Sequence, residues 1–279
     1  MANLPPLARV TAMRYVQPLR EGGSLPAVVE TDDGLYVVKF RGAGQGPKAL
    51  VAELLVGQIA PLLGLPVPAP ALVDLPPPFG RSEPDPEIQD VLRRSHGLNV
   101  GLRYLDGAFN FDCTAAADVV TPDFAARLVW LDALVTNPDR THRNPNLLVW
   151  RRSPWLIDHG AALYAHHDWA SVTPQKVRGP FPLIENHVLL SHSERLEAVD
   201  AGLAAALDDR TLSAVIESIP DDLLSGPEHA DDASPAELRA RYRDYLGSRL
   251  QAPRPFLAGA VEARERLRRM PALPQSARR

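Results

Sequence analysis

The chain has 279 residues, 45% hydrophobic and 23% charged, enough to build one large domain or two lobes around a sizeable core. Its formal net charge of -4 excludes a nucleic-acid binder that works by bulk electrostatics, because neutralising phosphates needs a basic surface. The single cysteine, Cys113, excludes an internal disulfide, and the opening MANLPPLARV lacks the apolar core of a signal peptide, so the expected compartment is cytoplasmic.

The first hundred residues read as strands: RVTAMRYVQPL, PAVVETDD, LYVVKF, PAPALVDL and LNVGLRYL, punctuated by turn signals such as EGG and DDG. One helix interrupts them. PKALVAELLVGQIAPLLG places Leu50, Leu54, Leu55, Gln58, Ile59 and Leu62 at helical spacing and stops at Gly64, with Pro61 bending only the last turn. The run from residue 49 to 75 is the most apolar. Glu53 and several prolines break it short of the roughly 20 apolar residues a membrane span needs, so no membrane partner is expected. Residues 76–97, rich in proline and charge, read as a loop insertion with a short helix from about Pro86.

From Pro122 the pattern turns helical. Thr121 is a cap, Pro122 sits at the first helical position, and Phe124, Leu128, Leu131, Leu134 and Val135 repeat on one face as far as Asn137. Two further helices, in SHSERLEAVDAGLAAALDD and SPAELRARYRDYLGSRL, each begin with a Ser-x-x-Glu box: Ser191 with Glu194, and Ser234 with Glu237. A last helix, FLAGAVEARERLRR, gives way to PALPQSARR, which is expected to fray. The pattern divides into a β-rich lobe over residues 1–107 and a mainly helical lobe over 108–279.

Between a helix and a hairpin lies NPDRTHRN, residues 137–144. Asn, Pro and Asp also make ordinary polar turns. The strands that follow, NLLVW and PWLID around the turn RRS, fold the strand-end Asp158 back toward this loop. Asp139, Asn144 and Asp158 then converge as two acids and an amide, a set able to hold a hard cation and position an attacking hydroxyl. Phosphate transfer also needs backbone donors and a cation against the nucleotide's charge. REGGSLP offers Gly22, Gly23 and Ser24 between two strands, where paired glycines allow close backbone approach or simply turn a hairpin. Only three of the 30 basic residues are lysine, and one of them, Lys39, ends an apolar strand. It either snorkels to water or serves as a compact point charge, with Glu53 on the next helix as a pairing partner.

The order of glycine loop, strand lysine, helix glutamate, Asp-x-x-x-x-Asn loop and strand-end aspartate resembles the protein-kinase-like fold. TNPDRTHRNPNLL, LIDHG and LLGLPVPAP resemble the HipA-like branch, near the phosphatidylinositol kinases, over roughly residues 10–250. The resemblance implies an α+β, bilobal fold with one helix in the β-rich lobe. It implies ATP and Mg2+ as cofactors, Asp139 as catalytic aspartate, Asn144 and Asp158 as metal ligands, and Lys39 and Glu53 as the phosphate-positioning pair. Tyr104 and Leu105, in LRYLDG, become a hinge presenting backbone groups to adenine. The acceptor it implies is a serine or threonine hydroxyl of a protein, or a hydroxyl of a small molecule. Thr141 separates Arg140 from His142, His159 follows Asp158, and no Ala-Pro-Glu is found, so acceptor recognition is not carried over. A nucleotide-binding regulatory scaffold is the alternative function. The pair His167-Asp168, beside His166, also suits a metal phosphohydrolase, but that class needs a helical scaffold and this chain opens with a sheet.

Overall fold

The computed structural model describes residues 6–19, 25–44, 46–81, 83–225 and 233–269. The first strands, β1 (Ala8–Pro18), β2 (Ala27–Thr31), β3 (Gly34–Lys39), β4 (Pro70–Leu75) and β5 (Gly97–Arg103), close into a barrel in the order β1-β2-β3-β5-β4. Closure is the work of β1. Its first four residues pair parallel with Ala71–Asp74, and from Ala12 onward it pairs antiparallel with β2, with register shifts between Ala12 and Arg14 and between Tyr15 and Gln17. Such shifts add local bend and twist, which let one long strand serve both free edges of the sheet. Arg9 fastens the seam through a two-pronged contact with Asp74 at 2.6 and 2.9 Å.

Helix α1 (Gly46–Leu62) crosses the outside of the barrel. In keeping with the apolar run in its sequence, every residue from Ala49 to Ala60 is buried. It packs on β4 and β5 on one side and on a later helix, α7, on the other, which is why it has no polar stripe. Gly64, at φ +73°, ends it in the left-handed conformation glycine adopts without strain. The 76–97 insertion is not a surface appendage. Asp85 caps α2 (Pro86–Arg94) by accepting from the Glu87 and Ile88 amides, and Phe79, Val91 and Leu92 join the apolar cluster of the barrel.

A short strand, β6 (Phe109–Asn110), and a one-turn helix, α3 (Ala116–Val119), lead to α4 (Pro122–Leu134), where Thr121 accepts from the Phe124 amide and Pro122 occupies the first turn. The expected hairpin is β7 (Leu147–Trp150) and β8 (Ser153–Leu156), joined by Arg151 and Arg152, both at positive φ. That conformation gives the two-residue turn the twist of its strands. After it come a stretch of short helical turns including α5 (Pro174–Val177), then α6 (Leu196–Ala206), α7 (Asp209–Glu217), α8 (Pro235–Leu250) and α9 (Pro255–Arg269).

The capping box is formed at Ser234 and Glu237, but not at Ser191 and Glu194. There α6 starts only at Leu196. Ser191 lies within the 3-10 turn Leu190–His192, and Glu194 faces Arg268. Asp208 accepts from the Thr211 amide and opens α7 as a separate helix. The tail PALPQSARR lies outside the described residues. No helix among the described residues is long and apolar enough to cross a membrane.

Candidate active site

A cleft of about 790 Å³ opens between the barrel and the helical part. Lys39, Glu53, Tyr104, Leu105, Asp139, Asn144 and Asp158 all line it. Gly22, Gly23 and Ser24 lie outside the described residues.

Lys39 ends β3, and its side chain, 10% exposed, lies between two carboxylates. Its Nζ donates to Glu53 Oε2 at 2.7 Å and to Asp158 Oδ1 at 2.5 Å. Burial pulls the lysine pKa down, but Glu53 and Asp158 outweigh it and the net shift is upward, so the ammonium is charged at neutral pH. Burial pushes Asp158 up while Lys39 pulls it below the ordinary carboxylate value, and the second effect wins. Asp158 adopts φ +53°, a left-handed conformation unusual for a residue with a side chain, just past the end of β8. Glu53 Oε2 also accepts the His159 backbone N–H at 2.7 Å, so one oxygen of α1 fixes both the lysine and the turn carrying Asp158.

Asp139 faces this group from the loop after α4. Asn144 Nδ2 donates to Asp139 Oδ2 at 2.8 Å and Asn146 Nδ2 donates to the same oxygen at 3.3 Å. Oδ1 has no hydrogen-bond partner among the described residues and is left to accept a further hydrogen bond. Asn146, read in the sequence only as the first residue of a strand, is therefore part of the site. Its signal is its position seven residues after Asp139, within reach once the loop turns back.

Arg140 holds this loop in place from beneath. It is 1% exposed, and its Nε donates to Asp132 Oδ2 of α4 at 2.6 Å. The guanidinium also donates to the carbonyls of Asn146 and Ile157 and to His159 Nδ1. His187 completes the lock. Its Nδ1 accepts the Leu189 amide at 3.0 Å, so the proton lies on Nε2, which donates to Asp132 Oδ2 at 3.0 Å. Burial favours the neutral form of Asp132, but Arg140 and His187 outweigh it and bring the pKa to about 2. Burial also holds His159 neutral, with a pKa of about 4, and lowers His187. Neither Asp132 nor His187 stood out in the sequence, since each is one polar residue in an otherwise unremarkable segment, and Arg140, though within the loop the sequence singled out, gave no sign of this buried role.

At the other end of the cleft, the Tyr104 amide donates to the Leu35 carbonyl at 2.9 Å, whereas the Leu105 amide has no partner among the described residues. Of the two residues expected at a hinge, only Leu105 has an amide left to donate among the described residues. The oxygens of Asp158 and Asn144 in the same cleft suit Mg2+, a hard ion that keeps waters and substrate oxygens as its remaining ligands. No group of three His, Cys, Asp or Glu able to hold a metal exists among the described residues. His166 is buried with its Nδ1 against the Tyr242 hydroxyl at 3.1 Å, and Asp168 caps a short turn, so this segment is structural.

A lysine clamped by a helix glutamate and a strand-end aspartate, facing an Asp-x-x-x-x-Asn loop across a cleft, is the arrangement of a kinase-like protein. The sequence model of the HipA-like kinases matches residues 13–240, and the chain belongs to that family. Among solved structures, the crystal structure of the Helicobacter pylori proinflammatory kinase CtkA superposes with a TM-score of 0.54 at 12% identity, covering 95% of this chain and 100% of that chain. At that identity the likeness is one of fold. No curated protein matches the sequence.

Proposed function

We propose that this chain is a Mg2+- and ATP-dependent phosphotransferase that moves the terminal phosphoryl group of ATP to a hydroxyl of a protein or a small molecule. The observation that carries this reading is Lys39 held at 2.7 and 2.5 Å between Glu53 and Asp158, in one cleft with Asp139 and Asn144. Phosphoryl transfer depends almost wholly on positioning and electrostatics, and these residues supply both. Lys39 orients the phosphates as a point charge whose direction Glu53 sets. Asp158 and Asn144 would hold Mg2+, which when bound offsets the charge of the phosphate oxygens. Asp139, its Oδ2 fixed by two amides, presents Oδ1 to the acceptor hydroxyl and takes its proton. Adenine lies toward Leu105 in this reading, and residues 1–107 and 108–279 act as two lobes about that hinge.

The test is incubation of the purified protein with Mg2+ and ATP labelled at the terminal phosphate, alone and with cell lysate, followed by mass spectrometry of labelled species. Label on a protein or small-molecule hydroxyl, absent in Asp139→Ala, supports the assignment. Tight Mg-ATP binding without label in any fraction would make the chain a nucleotide-binding scaffold instead.

A further inference from the structure

The cleft lining carries three cations, Lys39, Arg103 and Arg143, and three carboxylates, Glu53, Asp139 and Asp158. Two of the cations are already engaged. Lys39 is shared between Glu53 and Asp158. Arg103, at the end of β5 beside the hinge, is tied to Asp33 and to the Tyr36 hydroxyl. Arg143 is exposed and has no hydrogen bond or ion pair among the described residues. The contrast within its own loop is sharp, since Arg140 is buried and bonded to Asp132, Asn146, Ile157 and His159.

The lysine with its two carboxylates has a net charge of -1, and Asp139 adds another negative charge. A nucleotide triphosphate brings several more, all into one confined volume. The metal offsets part of this, and a free guanidinium at the reacting end is the one remaining source of positive charge that the described cleft supplies. Arg143 immediately precedes Asn144, whose side chain bonds Asp139, so its stem starts beside the carboxylate that faces the acceptor. A planar guanidinium matches two oxygens of a phosphoryl group at once, and charge spreads onto those oxygens as transfer proceeds.

We propose that Arg143 is a catalytic residue that binds the transferring terminal phosphoryl group. This rests on the phosphotransferase reading and adds the residue that meets the charge developed during the reaction. In the step, the bond from the terminal phosphorus to the bridging oxygen breaks and its electron pair leaves with ADP. The acceptor oxygen forms the new bond to phosphorus, and its proton passes to Asp139. Arg143 donates hydrogen bonds to the equatorial oxygens throughout and keeps its own protons.

The experiment compares binding of Mg-ADP and of a nonhydrolysable Mg-ATP analogue by calorimetry, in the wild type, Arg143→Ala and Arg143→Lys, alongside turnover. Arg143→Ala should leave the ADP dissociation constant within about twofold, weaken the triphosphate analogue about tenfold and lower kcat on the order of a hundredfold. Arg143→Lys should recover part of the analogue affinity, because a point charge replaces a two-pronged donor. If the wild type binds both nucleotides and Arg143→Ala binds both as well as the wild type does, Arg143 is a solvated surface residue and the proposal fails. Equal weakening of ADP and the analogue also overturns it, as does a rise confined to the acceptor KM, which would place Arg143 on the acceptor. A wild type that binds neither nucleotide brings down the phosphotransferase reading itself.

Discussion

Glu53 Oε2 accepts hydrogen bonds from both Lys39 Nζ and the His159 backbone amide, each at 2.7 Å. One helix oxygen thus sets the direction of the Lys39 ammonium and the position of the turn that carries Asp158. Glu53→Ala should lower stability by about 3 kcal/mol, the usual cost of leaving a buried charge with a missing partner. Turnover should fall further than the Mg-ATP affinity does. Glu53→Gln, which keeps one acceptor oxygen, should regain part of the stability without regaining turnover. Urea melts with parallel rate measurements check this, and wild-type values in Glu53→Ala would show that the shared oxygen is incidental.

Lys39 fits between Glu53 and Asp158 as a compact ammonium at 2.7 and 2.5 Å. Lys39→Ala should nearly abolish transfer. Lys39→Arg should not restore it, although the chain otherwise favours arginine, because a planar guanidinium does not fit where two carboxylates close on one nitrogen. Full activity in Lys39→Arg is the result that defeats this prediction.

The loop should divide its labour among four residues. Asn144→Ala and Asp158→Ala should raise the Mg2+ concentration needed for activity, or abolish activity, since hard cations depend on oxygen ligands in tight geometry. Asp139→Ala should lower kcat with Mg-ATP affinity largely intact. Asn146→Ala should cost about 1 kcal/mol of stability, because Asn146 holds φ +49° and asparagine tolerates that region better than alanine. It should also reduce kcat modestly through its bond to Asp139. Mg2+ titrations with melting curves separate these outcomes. A shifted Mg2+ requirement in Asn146→Ala but not in Asn144→Ala would exchange their assignments.

Acid should loosen the site's foundation. His159 is held neutral to about pH 4, against 6.5 in an unfolded chain. As pH falls through this range, the unfolded chain takes up a proton that the folded one refuses. Stability should therefore decline between about pH 6.5 and 4, by up to about 3 kcal/mol from this residue. The downward shift of His187 acts in the same direction. Asp132 adds a further loss at lower pH, as the pH falls from 3.8 through about 2. His159→Asn keeps an acceptor for Arg140 without titrating, and should flatten the upper part of the curve. An unchanged slope in denaturant melts from pH 7 to 4 would place the titrating group elsewhere.

Much of the site was readable because its chemistry is written in short spacings. Asp139 and Asn144 are five positions apart, the hairpin that returns Asp158 is local, and Lys39 and Glu53 stand out as charges in apolar runs. The missing parts depend on distance in the chain. Asp132 meets His187 across 55 positions, and no local pattern marks either residue. Barrel closure depends on bends within β1 and on the pairing of Ala8 with Ala71, which strand periodicity does not specify. The box at Ser191 and Glu194 had the right letters, but Ser191 sits inside a 3-10 turn that ends before α6 begins, and Glu194 accepts from Arg268.

The burial of α1 on every side limits how the protein can be switched. A helix with one solvent face can tilt away and carry its glutamate out of reach at little cost. Here, withdrawing Glu53 would drag Leu50, Leu54 and Leu55 into water, at about 1.5–3 kcal/mol for each side chain. At a cost of roughly 5 kcal/mol, fewer than about one molecule in a thousand would be found with the helix displaced. Any effector acting through that motion would need a comparable preference for the displaced form. Control of such a molecule is more economically exerted at the mouth of the cleft, by governing what enters it.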